Sequence, residues 1–200
     1  MKRSLFLLAS AVVLGFTGTS CNSNDPVKQA QAANEAQADS TTADTDLGKI
    51  EEKGKDYDSE FLTKAASGGM LEVEMGKQVA ARAVTPQAKE FARKMIDDHS
   101  KGNAELMALA TKKNITLPTT LGDEHAKVLK SVTGEKGVKM DQQYIKEMLA
   151  DHEEDVKEYT EASVKAADPD IKAFAAKTIP MLKMHLDMVT KMRPAVDAAK

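Results

Sequence analysis

Residues 91–99 read FARKMIDDH, and residues 144–152 read YIKEMLADH. The two stretches agree in an aromatic residue, then Met, an aliphatic residue, Asp and His, all at the same offsets. Within each, apolar residues recur three and four apart, the spacing that lines one face of a helix. Phe91, Met95 and His99 share that face in the first stretch, and Tyr144, Met148 and His152 in the second. Residues 180–185, PMLKMH, again set a histidine four after a Met and three after an aliphatic residue. Three separated segments therefore carry a histidine at a core position. Two copies of a helical hairpin would give this match; so would helices that merely share a packing role.

Extending the period outward predicts four long helices. The first runs over about 59–84. The second follows Thr85 as N-cap and Pro86 at the first helical position, and runs to about 113. A short helix over about 121–132 stops at Gly134. The third long helix covers about 140–166. Asp168–Pro169 repeats the cap-then-proline signature and opens the fourth, which continues toward 196. Pro180 lies inside that last helix and is predicted to kink it or shift its start. No strand is predicted. The fold class is therefore all-α, a four-helix bundle over 57–200. About 25 residues separate helices two and three, more than antiparallel neighbours need. A connection of that length, carrying its own short helix, can cross the bundle end to end. That is the ferritin-like arrangement, with helices two and three parallel.

Composition agrees. The chain has 200 residues, 42% hydrophobic and 30% charged, with 4% aromatic residues and no Trp, which favours helix and allows one domain with a real core. A formal net charge of −3 provides no basic field for nucleic acid. No phosphate-binding Gly loop, nucleophile elbow or paired CxxC is present, and no catalytic acid–base pair or nucleophile can be identified.

The first residues, MKRSLFLLASAVVLGFTGTSC, read as a targeting segment. Lys2 and Arg3 precede an apolar run from Leu5 to Phe16, too short to span a bilayer comfortably. Small residues then lead to Cys21, the single cysteine. The pattern resembles a bacterial lipoprotein signal over 1–20, with Cys21 acylated as the mature N-terminus and membrane attachment through that lipid. Gly18 stands where such signals usually have Leu, and a plain secretory signal is the other reading. Either reading places the protein in the cell envelope. Asn22 after the cysteine lacks the Asp that marks inner-membrane retention in some bacteria, so the expected site is the outer membrane facing the periplasm. Residues 21–56 are poor in large apolar groups and read as a disordered tether.

The midpoints of packed helices share one depth, whichever way each helix runs. His99, His152 and His185 lie near the midpoints of helices two, three and four; helix one has Glu72 there instead. These four are predicted to form one polar layer. In the ferritin-like order Met75, Met95, Met148 and Met188 all fall on one side of that layer; in a simple up-down order Met148 and Met188 move to the other. Three imidazoles and a carboxylate suit zinc, iron or manganese, and the thioethers of Met95, Met148 and Met188 would add an affinity for copper. A di-iron site requires Glu-x-x-His on two helices, and Ile96, Leu149 and Leu182 occupy the Glu positions. The competing reading has no metal: a buried Glu72 accepts hydrogen bonds from histidines in a satisfied core network, in a structural or protein-interaction module. Asp98 and Asp151 are placed to orient a histidine on a neighbouring helix, or to be solvated. His125, in the polar short helix, is read as a surface residue.

The stretches FLTKAASGGMLEVEMGK, FARKMIDDH, LP at 117–118, MDQQYIKEMLADH and IPMLKMHLDM together resemble the bacterial domain-of-unknown-function 4142 family of exported and outer-membrane proteins, over roughly residues 56–195. The resemblance implies a ferritin-like helical fold and an envelope location, and no activity. Met140 stands where the family is expected to have Phe.

Overall fold

The computed structural model describes residues 24–39 and 46–200. The signal-peptide reading and Cys21 lie outside the described residues. Among the described residues six helices form: α1 (Pro26–Asp39), α2 (Asp46–Arg82), α3 (Pro86–Lys113), α4 (Asp123–Gly134), α5 (Val138–Lys165) and α6 (Pro169–Asp197). No strand occurs among the described residues.

Local chemistry sets the boundaries of the long helices. Pro86 and Pro169 open α3 and α6, where a missing N–H costs nothing. Asp168 caps α6, its Oδ1 accepting from the N–H of Asp170 (2.8 Å) and Ile171 (3.4 Å). Thr85 has N-cap backbone angles, but its side chain makes no cap bond. Its hydroxyl instead donates to Asp141 Oδ2 (2.7 Å), which also accepts from the N–H of Val84 and Thr85. Asp141 thus fastens the α2–α3 corner to α5. Helix α3 stops at Asn114, whose φ of 54° is left-handed, a conformation Asn tolerates well. Helix α6 continues through Pro180, so that proline does not shift its start.

Helices α2 and α3 pack together extensively, as do α5 and α6, with further contacts of α2 to α5 and α3 to α6. The core divides into two apolar clusters. One contains Met75, Val79, Ala88, Phe91, Met95, Met140, Met148 and Val196; the other contains Phe61, Leu106, Ala110, Tyr159, Ala162, Ile171 and Phe174. The first cluster therefore gathers the end of α2, the start of α3, the start of α5 and the end of α6. The second gathers the opposite ends. Helices α3 and α5 run in the same direction, and the chain between them, carrying α4, passes from one cluster to the other. Met75, Met95 and Met148 are fully buried in the first cluster and Met188 packs against it, so all four methionines lie on one side. The small-residue face of α2 allows close approach of α3. A Cβ at Gly69 would run into the Asn103 side chain, and one at Gly76 would come within 3.1 Å of the Ala92 carbonyl oxygen.

The N-terminal region differs from the expected tether. Residues 26–39 are helix α1, packed against α2, and α2 itself begins at Asp46. Polar clamps do what apolar residues do elsewhere. Asp25 Oδ1 accepts from the N–H of Val27 (2.8 Å) and Lys28 (3.2 Å), and its Oδ2 accepts from that of Asp123 (3.0 Å). One carboxylate thereby caps α1 and touches the start of α4. Asn34 grips the backbone of Thr116, accepting from its N–H at 2.7 Å and donating to its carbonyl at 3.0 Å. Farther on, the carboxylate of Asp58 accepts from the N–H of Ala167 and of Asp168, both at 2.8 Å. Gly54 lies where a Cβ would come within 2.8 Å of Ala167 Cβ. Such side-chain-to-backbone bonds leave no hydrophobic period to read.

Candidate metal centre

Between the two apolar clusters lie four buried polar side chains, one from each long helix: Glu72 (2% exposed), His99 (5%), His152 (0%) and His185 (0%). The predicted layer forms. Each imidazole has one nitrogen engaged outward and the other turned inward. His152 Nδ1 donates to the carbonyl oxygen of Met148 at 2.9 Å. His185 Nε2 lies 2.9 Å from Asp98 Oδ2, a carboxylate that Lys94 also holds at 2.9 Å. His99 Nδ1 lies 2.5 Å from Glu72 Oε2. The inward nitrogens meet: His99 Nε2 is 3.2 Å, and His152 Nε2 3.3 Å, from His185 Nδ1.

These partners assign the protons. A carbonyl and a carboxylate can only accept, so His152 carries its hydrogen on Nδ1 and His185 on Nε2. With Glu72 ionised, His99 carries its hydrogen on Nδ1. Three lone pairs then converge with no hydrogen between them. Burial pushes the Glu72 carboxyl well above its usual range, so without a cation it takes up a proton. Donating that proton to His99 Nδ1 frees His99 Nε2–H to bond His185 Nδ1, but His152 Nε2 still faces only acceptors. A further proton would require an imidazolium. Burial lowers the pKa of His99 to about 4, of His185 to about 4, and of His152 to about 3, the last helped by its two histidine neighbours. The imidazoles are neutral at pH 7 and proton placement alone leaves the layer unsatisfied.

A metal ion fits it. Donor atoms of His99, His152 and His185 lie within 4.8 Å of one another, as do donors of Glu72, Asp151 and His152. Zinc–imidazole bonds of about 2.0–2.1 Å at tetrahedral angles separate adjacent nitrogens by about 3.3–3.4 Å, close to the observed 3.2 and 3.3 Å. Glu72 Oε1 lies 3.5 Å from His152 Nε2 and, apart from the Asp151 carboxyl beside Glu72, has no hydrogen-bond partner among the described residues. Glu72 thus orients His99 with one oxygen and offers the other to the centre.

The neighbouring residues divide between expectation and correction. Asp98 orients His185, as its spacing suggested. Asp151 does not orient a histidine: its Oδ2 is 4.0 Å from His152 Nδ1, and its side chain lies against Glu72, where burial and the Glu72 charge raise its pKa. Met95 and Met148 lie in the apolar cluster beside the layer, with Met188 at its edge. It is the Met148 carbonyl, through the backbone, that bonds His152. His125 is not a free surface residue but half-buried, its Nδ1 2.7 Å from Ser67 Oγ; Ser67 Oγ in turn accepts from the N–H of Gly122. Asp155 went unread. Burial and the charges of Glu72 and Asp151 raise its pKa, and its signal was the run Asp151, Glu154, Asp155, Glu158 at helical spacing.

No curated protein and no solved structure gives a significant match to the chain. Residues 27–192, which include α1 and every residue of the polar layer, match the family model described as a domain of unknown function (DUF4142). The chain belongs to the DUF4142 family.

Proposed function

We propose that this domain is a metal-binding module. One divalent transition-metal ion is held by His99 Nε2, His152 Nε2 and His185 Nδ1, with Glu72 beside them, at the centre of a ferritin-like four-helix bundle. The observation that carries this reading is the convergence of three imidazole nitrogens whose outer nitrogens are already committed. An isolated polar network would turn donors toward acceptors; here a single cation satisfies all three lone pairs. The donor set is three neutral nitrogens and a carboxylate, which suits zinc, iron and copper alike. The nitrogen spacing favours a four-coordinate ion such as Zn(II). The ferritin-like assignment is supported by the parallel course of α3 and α5 and by the crossover that joins them.

Titration of metal-free protein with Zn(II), read as bound stoichiometry and thermal stability, tests the reading. One ion per chain should bind and raise the melting temperature by mass action. His99→Ala and His152→Ala should each remove that response. Binding by both variants at wild-type strength would place the ion elsewhere, and no binding to the wild type would favour the metal-free core network.

We also propose, from the leader, that Cys21 is lipidated and tethers the module to an envelope membrane. Mass spectrometry of the mature N-terminus should find acyl chains on Cys21; an unmodified cysteine there, or cleavage at another residue, rejects the anchor.

A further inference from the structure

A metal centre sealed in a helical core needs a way in. Beside it lies an open cavity of about 470 Å³ between α1, α2, α4 and α5. Along its α5 wall run Asp151, Glu154, Asp155 and Glu158, a stripe three and four residues apart on one helix face. Asp25, Asp123 and Glu124 add carboxylates at the rim, against the lysines Lys28, Lys64 and Lys127. Lys64 is paired with Glu60 at 2.8 Å, so the field inside is negative.

A second, far smaller cavity of about 20 Å³ lies deeper, lined by Glu72, His99 and Asn103 among others. That is room for about one water or one dehydrated ion. Ala65 and Asp155 line both cavities. Asp155 therefore stands at the partition between the open acidic chamber and the pocket against the centre. One geometric observation points to a cation on this line. The carboxyls of Glu72 and Asp151 lie against each other, and their buried Oε1 and Oδ2 meet no N–H or hydroxyl donor among the described residues, so a cation or a shared proton must hold the pair. Glu72 is 2% exposed and lines the inner pocket; Asp151 lines the outer chamber.

We propose that the acidic chamber is the access route for the metal ion and that Asp155 relays the ion across the partition to Glu72. The proposal rests on the metal-binding reading above and adds a path to it. The chamber concentrates cations at the surface, since a cleft lined by one sign of charge raises local counter-ion concentration and on-rates. The carboxylate at the partition replaces water around the ion as the passage narrows. Asp155 is then a positioning residue for loading and not a member of the final coordination set.

Stopped-flow mixing of the metal-free protein with Co(II) tests this, because Co(II) bound among imidazoles develops a visible absorption that reports both rate and end-point. Asp155→Asn is expected to slow colour formation about tenfold or more and to leave the final absorbance unchanged. The paired change of the exposed Glu154→Gln and the half-buried Glu158→Gln is expected to slow loading and flatten its dependence on ionic strength. Should Asp155→Asn disturb folding, the pair at the chamber wall still decides the matter. Loading at the wild-type rate in both variants overturns the route. Loss of the end-point in folded Asp155→Asn makes Asp155 a ligand and overturns the relay. Absence of colour in the wild type overturns the centre itself, and the route with it.

Discussion

Proton assignment at single residues governs the centre. His185 shows this most directly: Asp98 Oδ2 at 2.9 Å holds its hydrogen on Nε2 and so turns Nδ1 inward. Asp98→Asn loses that preference, because an amide can also donate. The variant should keep the fold but bind Zn(II) about 10–100-fold more weakly, measured by competition with a chromophoric chelator; unchanged affinity would show that Asp98 is only a surface partner of Lys94.

The same protons set a pH dependence. The histidines have folded pKa values of about 3–4 against 6.5. The unfolded chain binds more protons there, and stability falls as pH drops below 6.5. Glu72 is raised above 4.5, so the folded chain holds the extra proton and stability falls as pH climbs from 4.5 toward its folded pKa. The carboxyls of Asp151 and Asp155 shift the same way. Metal-free protein should therefore be most stable between about pH 4.5 and 6.5, where the opposing proton counts offset, each group acting with a slope of up to about 1.4 kcal/mol per pH unit. Above 6.5 only the carboxyl effect remains, and Zn(II) should reverse it by taking the place of the Glu72 proton. Melting temperatures from pH 4 to 9, with chelator and with Zn(II), check this. A chelated protein that gains stability from pH 6.5 to 8.5 contradicts it.

Among the helices, hydrophobic period and proline position made α3, α5 and α6 readable nearly to the residue. Phe91, Met95, His99 and their α5 counterparts declared both a helix and its buried face. Helix α1 was illegible for a physical reason. Its buried hydrophobic side chains are only Ala30 and Ala38, and its docking depends on Asn34 and Asp25, residue types that usually mark turns. The N-terminal part of α2 was hidden similarly, with Gly54 at a close contact and Leu47 and Ile50 exposed. Asn34→Ala removes both bonds to Thr116 and should cost about 1–3 kcal/mol. Hydrogen exchange should show the loss concentrated in α1 and the loop at 114–118, with α3 and α5 still protected. Unchanged protection in α1 would mean that the clamp does not hold it.

Among the described residues two apolar clusters enclose a polar layer, and the crossover brings α3 and α5 into parallel. That course is what stacks Met95 and Met148 on the same side as Met75 and Met188. The four layer residues were legible because midpoints of long helices share a depth. What the sequence could not convey was which nitrogen of each imidazole turns inward, since Met148 O and Asp98 decide it through the tertiary structure. The surrounding acidic face was legible as a helical stripe but not as a chamber, because α4 closes it from a distant part of the chain. The most direct test is X-ray absorption at the zinc edge of protein loaded with one equivalent of Zn(II). An ion held by the three histidines gives nitrogen and oxygen neighbours at about 2.0–2.1 Å, with outer-shell scattering from three imidazole rings. A shell of oxygens alone, or one without imidazole scattering, would contradict it.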